Sequence, residues 1–274
     1  MKPKKFPSNF SDVRDHRKKR QLYLYSISGF LAAYFLFFGI FSFFLRVPFF
    51  RVTRVEVVGA ESISSGDALA ALQATALKGS LIKSLFGFGN ILAWPTGANA
   101  HALALLPAVK SLEVRKDYFT RTITLDVTER NPYGIWCFEE SRGPLSPSCF
   151  WFDDGGTIFR RAMGVEGGAI PVIDDASERE TGLNAQVLPK ALLPNFLSVL
   201  QLLDKSGIRG ARVHLKDLGL EEVTVTEPVG PALLFSLKFP AANLGTFLVS
   251  FLNRPGYKNF QYVDFRVENR VYYK

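Results

Sequence analysis

Three kinds of apolar patterning run along the chain, and each predicts a different element. Residues 22–45, LYLYSISGFLAAYFLFFGIFSFFL, hold no charged side chain and read as one long helix. Two-residue alternation takes over in 107–132, PAVKSLEVRKDYFTRTITLDVTERNP. There Leu112 and Val114 alternate with Glu113 and Arg115, and Ile123, Leu125 and Val127 alternate with Thr122, Thr124, Asp126 and Thr128. Such alternation marks two strands of a hairpin, each buried on one face only. Helical spacing returns in 188–207, LPKALLPNFLSVLQLLDKSG, where Leu193, Phe196, Leu197, Leu200 and Leu203 recur and Gly207 stands near the C-cap.

The segments between these fill in an order. A strand is predicted at 52–58, ending at Gly59, and then a helix over roughly 66–77 with Ser64 or Ser65 as N-cap. Residues 78–97, KGSLIKSLFGFGNILAWPTG, form a Gly-punctuated connection whose pattern assigns no conformation. ANAHALALL is a short helix stopped by Pro107, and the hairpin follows. The result is β-α-α-β-β over about 80 residues, a module in which two helices cover one face of three strands. Arg130–Pro132 marks a turn and a boundary. Beyond it come short strands at 133–138, 149–153, 157–160 and 170–173, a polar stretch at 174–187, and the helix already noted. A meander at 211–216, 220–226 and 232–238 and a helix ending before Pro255 come next. The strand QYVDFRV, a tight turn at Glu268–Asn269 and RVYYK complete the chain. The fold class is therefore α+β. A basic tail (1–21) and one transmembrane helix (22–45) precede a β-α-α-β-β domain (47–131) and a mostly antiparallel β domain with one or two helices (132–274).

Charge changes this picture at one end only. The formal net charge of +8 invites a nucleic-acid partner. Residues 1–21, however, carry eight Lys or Arg against Asp12 and Asp15, a local balance of +6, which leaves +2 for the other 253 residues. The basicity belongs to a tail rather than to a groove, and no nucleic-acid partner is expected. A helix over 22–45, rising about 1.5 Å per residue, crosses a hydrocarbon core of about 30 Å with some tilt. A cleavable signal peptide would have a shorter apolar core and small residues at its end, whereas this run ends in Phe43, Phe44 and Leu45. An uncleaved anchor is the expectation. Fewer cations follow the run (Arg46, Arg51, Arg54) than precede it, so the tail is assigned to the cytoplasm and the remainder to the outside.

Candidate chemistry is sparse. Cys137 and Cys149 lie in aromatic, strand-like runs flanking the loop ESRGPLSPS, so they are placed to face one another across a hairpin. In an oxidising compartment they would close a disulfide, and the alternative is two buried thiols. No CxxC occurs and neither His101 nor His214 lies near the pair, so no metal site is expected. Ser80–Lys83 matches the S-x-x-K of serine acyltransferases but lacks the companion S-D-N-like and K-T-G-like elements. Gly87-Phe88-Gly89 lacks the third glycine and preceding strand of a dinucleotide site. Asp153-Asp154-Gly155-Gly156 reads as a tight turn sooner than as a cation site. No catalytic residue and no cofactor are assigned.

Taken in order, the pieces have a counterpart. A basic tail and one anchor precede VEVVGAESIS (55–64), then LLPAVKSLEVRKDYFTRTITLDVTERNP (105–132), then YVDFRVENRVYYK (262–274). This order resembles the FtsQ/DivIB bacterial cell-division proteins over nearly the whole chain. Its most specific parts are L-P-x-V before a strand, V-T-E-R-x-P closing the hairpin, and V-D-F-R before one last strand. The connection 78–97 and the Cys137–Cys149 pair depart from the simplest family pattern. The resemblance implies that 47–131 is a POTRA domain and that the protein is a non-enzymatic scaffold at the division septum of a bacterial cytoplasmic membrane. It would link early division proteins to FtsB-like and FtsL-like partners, and so to septal peptidoglycan synthesis. The POTRA domain would dock other divisome proteins, and the last strands would bind an FtsB-like segment by strand addition. A terminal strand at a sheet edge gives a physical reason, since it presents unpaired N–H and C=O groups. The residues assigned to that contact are Arg266, Val267, Asn269, Arg270, Val271, Tyr272 and Tyr273, with the tyrosines as anchors and the arginines placed for acidic partner residues. The alternative is that 270–273 lies inside its own sheet. Two other functions fit an anchored chain of this design. One is a POTRA-containing envelope-assembly or secretion component, and the other a cell-wall enzyme.

Overall fold

The computed structural model describes residues 10–76, 86–138, 148–162, 170–177 and 182–274. Ser80–Lys83, the first part of the 78–97 connection, the loop 139–147 and residues 1–9 of the basic tail lie outside the described residues. Helix α1, Phe10–Arg46, contains the span Arg20–Phe43, the one described helix long and apolar enough to cross a membrane. None of that span is buried against the rest of the protein. Its length and composition are those of a helix that can cross a hydrocarbon core.

The chain forms two compact units. Met1–Glu56, Ala76–Thr96 and Val114–Thr124 make one, and Val57–Thr75, Gly97–Glu113 and Leu125–Lys274 the other, so no single point in the sequence separates them. The elements are α+β, with two sheets. The smaller sheet has four strands, β1 (Arg54–Val58), β2 (Gly97–Ala98), β3 (Val109–Asp117) and β4 (Thr122–Glu129), in the order β1-β4-β3-β2. Helices α2 (Ser65–Ala76) and α3 (Ala100–Leu105) accompany it. Strand β2 is an addition to the sequence reading, because two residues are too few to show a period. The alternation in β3 and β4 does what the pattern predicts: Val109, Leu112, Val114, Ile123, Leu125 and Val127 are buried.

The V-T-E-R-x-P segment earns its composition. Glu129 accepts hydrogen bonds from the backbone N–H groups of Glu61 (2.8 Å), Ser62 (2.9 Å) and Ile63 (3.0 Å), and from the Ser62 hydroxyl, gathering the turn that leads into α2. Burial opposes ionisation of this carboxyl, but the bonds from Ser62 and its neighbours prevail and hold it below its ordinary value. Arg130 donates to the carbonyl of Pro107 (3.0 Å) and to Asp153 (2.5 Å). Asp153 is buried, and its other oxygen accepts from the N–H groups of Gly155 and Thr157. The Asp-Asp-Gly-Gly stretch is thus a turn whose first carboxylate is committed to an arginine. At the start of the same unit Gly59 has φ +83°, and a Cβ there would lie 2.2 Å from the carbonyl oxygen of Val127, so only glycine fits.

The larger sheet has nine strands in the order β13-β12-β11-β10-β9-β8-β5-β6-β7. These are β5 (Gly134–Phe138), β6 (Ser148–Phe152), β7 (Ile158–Arg161), β8 (Val172–Asp175), β9 (Arg212–Leu215), β10 (Glu222–Thr226), β11 (Ala232–Ser236), β12 (Tyr262–Phe265) and β13 (Tyr272–Tyr273). Five junctions are antiparallel, but β5–β8, β8–β9 and β11–β12 are parallel. Parallel neighbours require a crossover. Helix α4 (Leu193–Lys205) lies between β8 and β9 in the chain, and α5 (Gly245–Leu252) between β11 and β12. Both helices are therefore the connections that parallel pairing demands. Helix α4 buries Leu193, Phe196, Val199, Leu200, Leu202 and Leu203, and the Phe196 ring packs 5.3 Å from that of Trp136 on β5. Each such side chain contributes about 1.5–3 kcal/mol by leaving water. Cys137 and Cys149 stand directly opposite in the β5–β6 register and are joined as a disulfide.

Candidate interaction site at the open sheet edge

Strand β13 is the last strand in the order, with β12 on one side of it. Val263 pairs with Tyr273 and Asp264 with Tyr272, antiparallel, and the Lys274 N–H donates to the Tyr262 carbonyl (3.2 Å). Backbone groups on a strand alternate in direction, so the N–H and C=O of Tyr273 point away from β12 toward the open side. Residues 266–271 form the connection between the two strands. The N–H of Arg270 donates to the carbonyl of Val267 (3.2 Å), and Asn269 takes φ +60°, a left-handed conformation that asparagine tolerates well.

Directly opposed residues share a face. Tyr273 therefore lies on the face of Val263, which is in the core, and its ring meets those of Phe251 and Phe260, each at 5.2 Å. The guanidinium of Arg254 lies 4.6 Å from the Phe251 ring and 5.3 Å from that of Tyr273. Even so, Tyr273 stays half exposed. Tyr272 lies on the face of Asp264 and is also half exposed. Arg270 and Val267 are exposed, and Val271 packs partly against the core.

Arg266 is occupied. It donates to both oxygens of Asp264 (2.9 and 2.7 Å) and to Glu222 (2.8 Å), reaching from the end of β12 past β11 to β10. The hydrogen bonds from Arg266 hold the Asp264 carboxyl below its ordinary value, against the opposing pull of burial. They raise the pKa of Arg266 itself. Its charge is committed within the sheet, which leaves Arg270 as the cation presented by this segment. Close to the same strands, the Tyr257 hydroxyl donates to Glu227 (2.6 Å). Burial, then that bond, raises the Tyr257 hydroxyl far above its ordinary value. Burial also raises Glu227, with the tyrosine bond opposing it.

The sequence reading named the residues of the final strand and turn but missed what seats them: Phe251 and Phe260 against Tyr273 with Arg254 over the rings, and Glu222 and Asp264 around Arg266. One signal was legible. In Val263-Asp264-Phe265-Arg266 the two-residue period puts Asp264 and Arg266 on one face, close enough to pair.

Asp174, His214 and Thr226 also line up, across β8, β9 and β10. His214 Nδ1 lies 3.5 Å from Asp174 and its Nε2 2.8 Å from the Thr226 hydroxyl. Arg212 donates from Nη1 to both oxygens of that aspartate (3.1 and 3.0 Å), so the guanidinium is a closer partner of the carboxylate than the imidazole is. Among the described residues no three His, Cys, Asp or Glu side chains gather to hold a metal. No protein-family model matches the chain, and no curated protein matches its sequence.

Proposed function

We propose that the protein is a membrane-anchored scaffold of the FtsQ/DivIB type, in which 47–131 acts as a POTRA-like domain and 132–274 as the β domain that receives a partner. The partner is an FtsB-like division protein that adds a strand beside β13, with an FtsL-like protein joining the same assembly. One observation carries this reading. Strand β13 ends the sheet order, the N–H and C=O of Tyr273 point away from β12, and two half-exposed tyrosines lie on opposite faces. That is the equipment of β-augmentation, in which main-chain bonds supply affinity and side-chain pockets supply register. Arg270 adds a cation for an acidic partner, and the Tyr273 seat on Phe251 and Phe260 supplies the desolvated centre that interface hot spots need.

The apolar span of α1 and the Cys137–Cys149 bond support an extracytoplasmic position for the domains, since disulfides persist in oxidising compartments. Mass spectrometry of protein alkylated in cells should find Cys137 linked to Cys149, and two alkylated thiols would contradict that position.

The decisive experiment places a photo-crosslinking amino acid at Tyr272 in dividing cells and identifies what it captures. A small single-pass division protein is the expected product, Arg270→Glu should lower the yield several-fold, and depletion of the chain should give filamentous cells. Normal division on depletion, or capture confined to unrelated envelope proteins, would remove the reading.

A further inference from the structure

The residues that follow the membrane span form a collar in the first compact unit. Residues 50–52 pair with the strip that contains Gly89–Ile91: the Val52 N–H donates to Gly89 (2.9 Å), that of Ile91 donates to Phe50 (2.8 Å), and Arg51 bridges Asn90. At one end of this strip the ring of Phe86 lies 5.3 Å from that of Phe41, which is inside the apolar span. The β3–β4 hairpin tip, Asp117–Arg121, is tied to the same place. Arg121 donates to the carbonyl of Pro48 (3.1 Å), the Thr53 N–H donates to Arg121 (3.0 Å), and the Thr53 hydroxyl donates to the Thr120 carbonyl (3.1 Å). Pro48 follows the end of the apolar run by three residues, a separation of at most about 11 Å. A bilayer's headgroup region begins where such a run stops.

The tip is built to project. Asp117 accepts from the N–H groups of Phe119 (2.9 Å) and Thr120 (3.2 Å), which fixes the loop locally, and Arg121 takes φ +57° to re-enter β4. Phe119 is left 92% exposed and Tyr118 41%, while Phe49 beside Pro48 is 49% exposed. One exposed ring is ordinary, but three aromatic rings left exposed on segments tied to one another make a grouped apolar surface, the kind that marks a contact with another phase or partner.

We infer that the β3–β4 tip, together with Phe49 and Phe86, seats in the interface of the bilayer that α1 crosses, with Phe119 and Tyr118 at headgroup depth. Aromatic rings favour that layer, and exposed Arg51 supplies a cation for headgroup phosphates. The occupant is the membrane itself, because the tip is tied directly to the residues that leave the span. The first unit is then docked on the membrane at several points rather than suspended on a free linker. The inference rests on α1 being a transmembrane anchor, and on no other part of the proposed function.

The test uses the full-length protein in vesicles of phosphatidylethanolamine and phosphatidylglycerol, with Phe119→Cys carrying a bimane label and Phe35→Cys, in mid-span, as its companion. The native cysteines are joined and take no label. The label at 119 should be quenched several-fold more by lipids bearing a headgroup nitroxide than by dissolved iodide, and the label at 35 by mid-chain nitroxide lipid. Adding Asp117→Ala, which undoes the loop, should cut the lipid quenching at 119. If position 35 responds to lipid quencher and 119 responds only to iodide, the tip lies in water and the inference is overturned while the anchor stands. If position 35 also fails to respond, anchor and inference fall together. Shielding of 119 from both quenchers would mark a protein contact and overturn it as well.

Discussion

The hairpin tip at Tyr118–Phe119 and the edge at Tyr272–Tyr273 both expose aromatic rings, yet the two are supported in opposite ways. At the tip the backbone is fixed and the ring is not: Asp117 shapes the loop, and Phe119 stands almost wholly clear of the protein. At the edge the side chains are fixed and the backbone is left open. Tyr273 rests on Phe251 and Phe260 below Arg254, while its peptide group faces outward. A partner without shape, such as a lipid interface, asks only for apolar surface at the right depth. A partner with shape asks for a register, and a half-seated ring beside N–H and C=O groups that point away from the sheet provides one. Exposure alone would have placed the two patches in one class, but their supports separate them.

The contrast breaks most easily at the seat. Phe251→Ala removes a buried ring that touches Phe260, Phe265 and Tyr273. A loss of about 3–5 kcal/mol in unfolding free energy is expected, as for other buried aromatic truncations. Denaturant melts would show it, and capture of a strand partner should fall with it. A loss below about 1 kcal/mol would mean that Phe251 is not the buried support on which the edge ring rests.

Two smaller changes separate the acids near the edge. Tyr257→Phe deletes the donor to Glu227, worth about 1.5–3 kcal/mol because the acceptor is a carboxylate. Burial already raises Glu227, and without the tyrosine its folded value climbs further. The penalty for ionised Glu227 therefore grows as pH rises through this raised range and closes on acidification. Arg266→Ala removes the bonds to Asp264 and Glu222, worth about 0.5–1 kcal/mol for an ion pair that is partly open to water. Asp264 is depressed in the folded state, so that stability is present above the ordinary carboxylate range and lost as pH falls through the depressed value. On acidification the Tyr257→Phe deficit should close first and the Arg266→Ala deficit at lower pH. Melting temperatures measured across the acid range would test the order, and a reversed order would contradict both assignments.

How much of this was legible in the sequence follows from the range over which each interaction acts. The strands β3 and β4 and helix α4 were legible because burial on one face writes a period into neighbouring residues. The parallel pairing of β8 with β9 and of β11 with β12 was not, because a period records burial and is blind to strand direction. The same limit hid the seat of Tyr273: Phe251 lies 22 positions away, in a helix whose apolar face gives no hint of which strand it covers. Glu129 and Arg130 were visible as a motif, but their work on residues 61–63 and on Asp153 is long-range and had no local trace. The cysteines were legible as a pair because both sit in strands flanking one short loop.

The smallest effect is expected at the tip, and it tests the comparison from the other side. Phe119→Ser replaces a ring that the protein does not cover, so the unfolding free energy should move by no more than about 0.5 kcal/mol. Asp117→Asn should keep the loop in place, since the amide oxygen still accepts from Phe119 and Thr120. The hydrogen bonds from the Thr120 side chain and from the Thr120 and Phe119 N–H groups hold Asp117 below its ordinary value, so acid below that value should loosen the loop of the native chain but not that of the asparagine variant. Amide exchange at Phe119 and Thr120 reads this directly. If Phe119→Ser instead lowers stability as Phe251→Ala does, the ring has a protein contact. The tip would then be a second seat rather than a free surface, and the distinction between a patch shaped for lipid and a patch shaped for a strand would collapse.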